Sequence, residues 1–224
     1  MWSFSKKYKI EDIQHLSRTL LQERDKYRIV FIDDQNPPLI KAIEKHGFDL
    51  THFQDISNVN EIKKYDIVIC DIQGVGKSFG SEFEGGHLIK EIRLNYPLKY
   101  LIAYSGKSFD MRYNQFFKLC DNVAMKQADI TDWINYLDNA IKQVSDPIFV
   151  WSKAREQFIM NNIPLEVVSE IEKSYVKSIS NNNISLFNPK KISSKFNFGN
   201  TIATIDAIGT YLQIIIPFLI KNSN

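Results

Sequence analysis

Tyr65-Asp66-Ile67-Val68-Ile69-Cys70-Asp71-Ile72-Gln73-Gly74 decides the fold. Ile67, Val68, Ile69 and Cys70 form an unbroken apolar run, too short for a helix and without the alternation of a half-exposed strand. Such a run fits a parallel strand covered by helices on both faces. Asp71 closes it, and Gly74 and Gly76 break it. In open α/β sheets, ligands meet the carboxyl ends of the strands, so an acid there is a candidate for chemistry.

Working outward, the same design repeats. Residues 28–34 read as a strand of Ile29, Val30, Phe31 and Ile32 that ends on Asp33 and Asp34. Residues 48–53, 99–105 and 120–125 read as further strands, the last two ending at Ser105 and just before Lys126. Helical spacing fills the intervals at 37–45, 58–64, 87–95, 109–119 and 131–144, where Trp133, Ile134, Leu137, Ala140, Ile141 and Val144 make the last stripe. Five strand–helix alternations predict an α/β fold, a doubly wound five-stranded parallel sheet.

The flanks differ. Ile10, Ile13, Leu16, Leu20 and Leu21 predict an amphipathic N-terminal helix within residues 1–27. After Pro147, two helices are expected up to residue 179, broken at Asn161-Asn162-Ile163-Pro164. A polar linker follows at about 180–200, then a last helix over 201–220. The expected organisation is an N-terminal helix (1–27), an α/β domain (28–146) and an α-helical C-terminal output or dimerisation region (147–224).

Composition narrows the function. The chain has 224 residues, 44% of them hydrophobic, and a net charge of +2. That charge argues against a nucleic-acid binder held by bulk attraction. Cys70 and Cys120 lie in apolar runs and read as buried free thiols, and the N-terminus lacks the apolar core of a secretory signal. The expectation is a cytoplasmic chain. The helices at 150–179 do not read as a DNA-binding pair, because Glu166, Glu170 and Glu172 crowd the second.

The strand ends together present Asp33, Asp34, Asp71, Ser105 and Lys126. Clustered carboxylates repel unless a cation compensates, and an all-oxygen set suits Mg²⁺. Mg²⁺ and Lys126 would neutralise a phosphoryl group while Ser105 donates a hydrogen bond. Asp71 would then be a nucleophile forming an aspartyl phosphate.

Over residues 28–144 the sequence resembles the receiver domain of two-component response regulators, the CheY-like family with a flavodoxin-like sheet. The resemblance rests on Ile29 to Asp34, Asp66 to Asp71, Gly86 before Leu88 to Arg93, Tyr104-Ser105-Gly106, and Lys126. It implies a phosphoacceptor at Asp71 and a histidine kinase or phosphotransfer protein as donor. It implies Mg²⁺ held by Asp34, Asp71 and the Gln73 carbonyl, with Asp33 behind them, and phosphoryl sensing by Ser105 and Lys126. It implies signalling by protein contacts and no enzymatic turnover beyond self-phosphotransfer. The chain departs from the family at Gln127, where proline is usual, at Val123, where an aromatic is common, and in a longer loop at 74–85.

Two other readings compete. Gly74-Val75-Gly76-Lys77-Ser78 resembles part of a P-loop, but Asp71 stands where the first glycine belongs and no helix pattern starts at Lys77, which reads as a solvated loop cation. A receiver-shaped scaffold that is never phosphorylated is the other. For residues 201–220, a helix packed on protein, within the chain or in a homodimer, competes with a membrane span. The length is borderline for spanning, and Asp206 opposes it.

Overall fold

The computed structural model describes residues 8–18, 24–106, 111–188 and 199–222. They form two compact units, one of residues 21–144 and one of residues 1–20 with 145–224.

The first unit is the α/β layer structure. Its strands are β1 (Arg28–Ile32), β2 (Asp49–Phe53), β3 (Ile67–Asp71), β4 (Tyr100–Ser105) and β5 (Asn122–Met125). Its helices are α1 (Leu39–Lys45), α2 (Glu84–Asn95), α3 (Asn114–Phe117) and α4 (Ile130–Ser145). All strand pairs are parallel, in the order β2-β1-β3-β4-β5, so β1 and β3 flank the point where the winding reverses. This is the flavodoxin-like, doubly wound arrangement. The register pairs Ile32 with Cys70, Asp71 with Tyr104 and Ser105 with Met125, which brings the acid-bearing ends level. β3 and β4 are buried along their whole length, as their apolar runs require. On one side Val30, Val68, Leu88, Ile92, Leu101 and Phe116 share a core.

Several elements differ from the sequence pattern. The 58–64 segment is a short 3₁₀ turn, Val59–Ile62, closed by a reciprocal Asn58–Glu61 cap that satisfies its first amides. The helix expected over 109–119 is a 3₁₀ turn, Met111–Tyr113, leading into the single turn of α3; residues 107–110 lie outside the described residues. Tyr113 and Phe116 are buried while Met111 is 79% exposed, so the apolar spacing there marks anchors and not one continuous stripe. Cys120 sits in a turn ahead of β5, its Sγ donating to the Phe116 carbonyl at 3.5 Å. The Asp121 carboxylate, held by the Arg93 guanidinium and the Leu101 amide at 2.8 Å each, delays the strand to Asn122.

The second unit is helical. It contains α5 (Pro147–Met160), α6 (Leu165–Ser180) and α7 (Ile202–Asn222). Asp146 caps α5 by accepting the Ile148 amide at 2.8 Å, with Pro147 at the first helical position. Asn162 takes positive φ (57°) between α5 and α6. Trp151 stacks on Tyr175 at 5.5 Å, and the Tyr175 hydroxyl donates to the Pro147 carbonyl at 2.8 Å. The amphipathic segment near the N-terminus is a 3₁₀ stretch, Ile10–Arg18, and not an α-helix; it packs on α5 and α6 with Ile13 fully buried. Leu20 and Leu21 of the expected stripe lie outside the described residues, as do residues 189–198 of the expected linker. α7 buries Ile205, Ile208, Leu212, Ile215, Ile216 and Leu219 and leaves Ile202 exposed. Pro217 lies within α7, which continues to Asn222. Among the described residues no helix is long and apolar enough to cross a membrane.

Candidate functional site

Each site residue sits where a strand stops. β1 delivers Asp33, 1% exposed, whose amide donates to the Phe53 carbonyl at 3.0 Å. Its Oδ1 accepts the Gln35 amide at 2.7 Å, but its buried Oδ2 accepts no hydrogen bond. The next residue, Asp34, is partly exposed. β3 delivers Asp71, 2% exposed, whose Oδ1 accepts the Gln73 amide at 3.2 Å. β4 delivers Ser105, also buried, whose carbonyl accepts the Lys126 amide at 2.7 Å. The turn after β5 thereby presents Lys126, whose Nζ lies 2.5 Å from Asp71 Oδ2 and 4.0 Å from Asp33 Oδ2.

The electrostatics are those of crowded anions. Oxygens of Asp33, Asp34 and Asp71 lie within 4.8 Å of one another. Burial pushes the Asp71 carboxyl above the ordinary carboxylate range, Lys126 pulls it back, and Asp33 adds to the rise. Burial, followed by Asp33 and Asp71, pushes the Tyr104 hydroxyl up to about 12. Lys126 lies over the Tyr104 ring, 5.0 Å from its centroid, which adds a cation–π attraction. A divalent cation fits this set. Three hard oxygen donors converge, and the Asp33 oxygen that accepts no hydrogen bond leaves the cluster an open acceptor.

Gly74 and Gly85 let backbone close in on the cluster. Gly74 has φ +83°, and a Cβ there would stand 2.7 Å from the Asp34 carboxylate. A Cβ on Gly85 would meet the Asp71 carbonyl oxygen at 1.9 Å.

The loop between β3 and α2 is not a phosphate cradle. Its amides are already engaged by the protein's own carboxylates. Gly74 donates to Glu84 Oε2 at 2.6 Å, Gly76 to Asp55 Oδ1 at 2.6 Å and Lys77 to Asp55 Oδ2 at 3.3 Å. A three-residue 3₁₀ turn, Lys77–Phe79, stands where a P-loop would start its helix. Asp55 and Glu84 carried no pattern in the sequence; Lys77, read there as a solvated loop cation, is 62% exposed and has its ammonium 4.0 Å from Asp34 Oδ2. His52 has its Nε2 2.9 Å from the Asp33 carbonyl.

The strand order and the acid-lined edge define a flavodoxin-like unit with the fold of receiver domains. The chain is similar to a CheY-like response regulator receiver domain from Methanospirillum hungatei JF-1, with 16% identity, 53% of this chain and 95% of that one covered, and a TM-score of 0.46. It is similar to a response regulator from Thermotoga maritima, with 20% identity, 51% and 97% covered, and a TM-score of 0.42. The receiver domain of NtrX from Brucella abortus gives 17% identity, 51% and 98% covered, and a TM-score of 0.43. No protein-family model matches the chain, and no curated protein does.

Proposed function

We propose that residues 21–144 form a phosphoacceptor unit in which Asp71 takes a phosphoryl group from a phosphohistidine donor, a histidine kinase or phosphotransfer protein. The helical unit of residues 1–20 and 145–224 is then its output. The observation that carries this reading is Lys126 Nζ at 2.5 Å from Asp71 Oδ2, inside a cluster of three carboxylates on the edge where this fold does chemistry.

A carboxylate oxygen of Asp71 attacks phosphorus, an O–P bond forms, the P–N bond of the donor breaks, and the imidazole leaves with the electron pair. Asp34 and Asp71, with the Gln73 carbonyl and with Asp33 behind them, would hold Mg²⁺. When bound, the ion supplies positive charge to the phosphoryl oxygens and offsets the repulsion among the carboxylates. Lys126 now neutralises Asp71; after transfer its ammonium pairs with a phosphoryl oxygen, and the Ser105 hydroxyl donates to another. Val123 stands where the family often has an aromatic, and the Tyr104 ring lies under Lys126. It contacts Trp133 of α4 at 5.7 Å, a route from Lys126 to a helix.

Incubation with Mg²⁺ and a small phosphodonor such as acetyl phosphate is expected to add one phosphoryl mass to the wild type and none to Asp71→Asn. Equal modification of both proteins would overturn the assignment.

A further inference from the structure

The loop inserted after β3 brings a second ammonium to the acidic cluster. Lys77 Nζ lies 4.0 Å from Asp34 Oδ2, on the side chain of the cluster most open to solvent. The lysine is 62% exposed, so its own side-chain freedom does not fix it there; the backbone does. Asp55 accepts the amides of Gly76 and of Lys77 itself, and the Ser78 hydroxyl donates to the Ile56 carbonyl at 3.0 Å. Gly76 and Gly80 take positive φ on either side of the 3₁₀ turn that carries Lys77. At the loop's start Gly74, held by Glu84, presses its backbone against the Asp34 carboxylate. The turn that bears Lys77 is therefore fastened before and after the lysine, beside Asp34.

We infer that Lys77 is a tethered competitor for the divalent cation: its ammonium partly neutralises Asp34 from the open side and sets the cation affinity of the cluster. The inference rests on the phosphoacceptor reading, in which Asp34 holds that cation. Lys126 and Lys77 divide the work by position. Lys126 serves the buried Asp71, and Lys77 serves the accessible Asp34. An entering divalent ion meets like charge at Lys77 and must displace it from Asp34. In water a single charge and a double charge a few ångströms apart repel enough to weaken binding roughly three- to ten-fold, less as salt screens them.

The test measures Mn²⁺ binding to the full chain by the paramagnetic resonance signal of the free ion, with Mg²⁺ as competitor. Lys77→Ala is expected to bind about three- to ten-fold more tightly than wild type, Lys77→Glu more tightly still, and Lys77→Arg like wild type. The gap between wild type and Lys77→Ala is expected to narrow as KCl is raised, which a purely structural role for Lys77 would not produce. Asp55→Ala, which releases the turn, is expected to move affinity the same way. Asp34→Asn is the reference. If binding depends on Asp34 but Lys77→Ala leaves it unchanged, the competitor role is overturned and the cation site stands. If Asp34→Asn binds as the wild type does, the cation site itself falls and the inference with it.

Discussion

Lys126 is the only cation within 4.0 Å of Asp71 among the described residues, and it reaches Asp33 as well. Removing it leaves two buried carboxylates facing each other. Burial already raises Asp71 above its unfolded value. A carboxyl raised in this way favours the fold while protonated, below the unfolded value, and loses that contribution as pH rises through the folded value. Lys126→Met deepens the loss. Without divalent ions its stability at pH 7 is expected to fall about 1–2 kcal/mol below wild type, the modest size reflecting a lysine one-third exposed. The gap is expected to shrink at pH 4 and on adding Mg²⁺, as read by denaturant unfolding. Lys99 gives the opposite slope at the other end of the sheet. Burial lowers it from 10.5 to about 8, against the pull of Asp66, and its ammonium donates to the Lys63 and Tyr65 carbonyls. A base depressed by folding is best tolerated above its unfolded value, and stability falls as pH drops through the folded one. The stability of wild type relative to Lys99→Met is therefore expected to rise between pH 8 and pH 10.5, as read by unfolding at both values.

At the scale of elements, the glycines separate geometry from propensity. Gly85 lies in the first turn of α2, where a methyl would strike the Asp71 carbonyl oxygen, which is backbone and cannot step aside. Gly85→Ala is expected to cost about 2–4 kcal/mol. Gly209 in α7 has nothing within 4 Å of an added Cβ, so Gly209→Ala is expected to raise stability by about 0.5–1 kcal/mol. Thermal unfolding of the two variants checks both signs. The sheet was legible in the sequence because its strands are continuous apolar runs that stop at polar residues, a pattern that local chemistry alone produces. The 3₁₀ segments were not. Ile10–Arg18 and Met111–Tyr113 carry apolar residues at helix-like spacing, yet it is the tertiary partner of each anchor that sets the winding. Asp33, Asp34, Asp71, Ser105 and Lys126 were nameable as strand-end residues. Lys77 was not, because its position depends on Asp55, more than twenty residues earlier in the chain and joined to it only by folding.

For the whole molecule, the helical unit is assembled from both ends of the sequence. Ile13 is fully buried against α5 and α6, so Ile13→Ala is expected to destabilise that unit by about 2–4 kcal/mol. The Asp34-dependent Mn²⁺ affinity of the 21–144 unit is expected to stay within two-fold of wild type. Monitoring Trp151 and Trp133 separately, each in a variant lacking the other and Trp2, distinguishes the two units, since Trp151 lies in one and Trp133 in the other. This discontinuity also governs what a protease can do. The chain passes between the units twice, near residue 20 and near residue 144. One nick at either crossing leaves the other as a covalent link between the α/β unit and part of the helical unit. A double cut severs every covalent link between residues 21–144 and the helical unit, and it divides the helical unit's own chain into two pieces, which denaturant separates into two peptides.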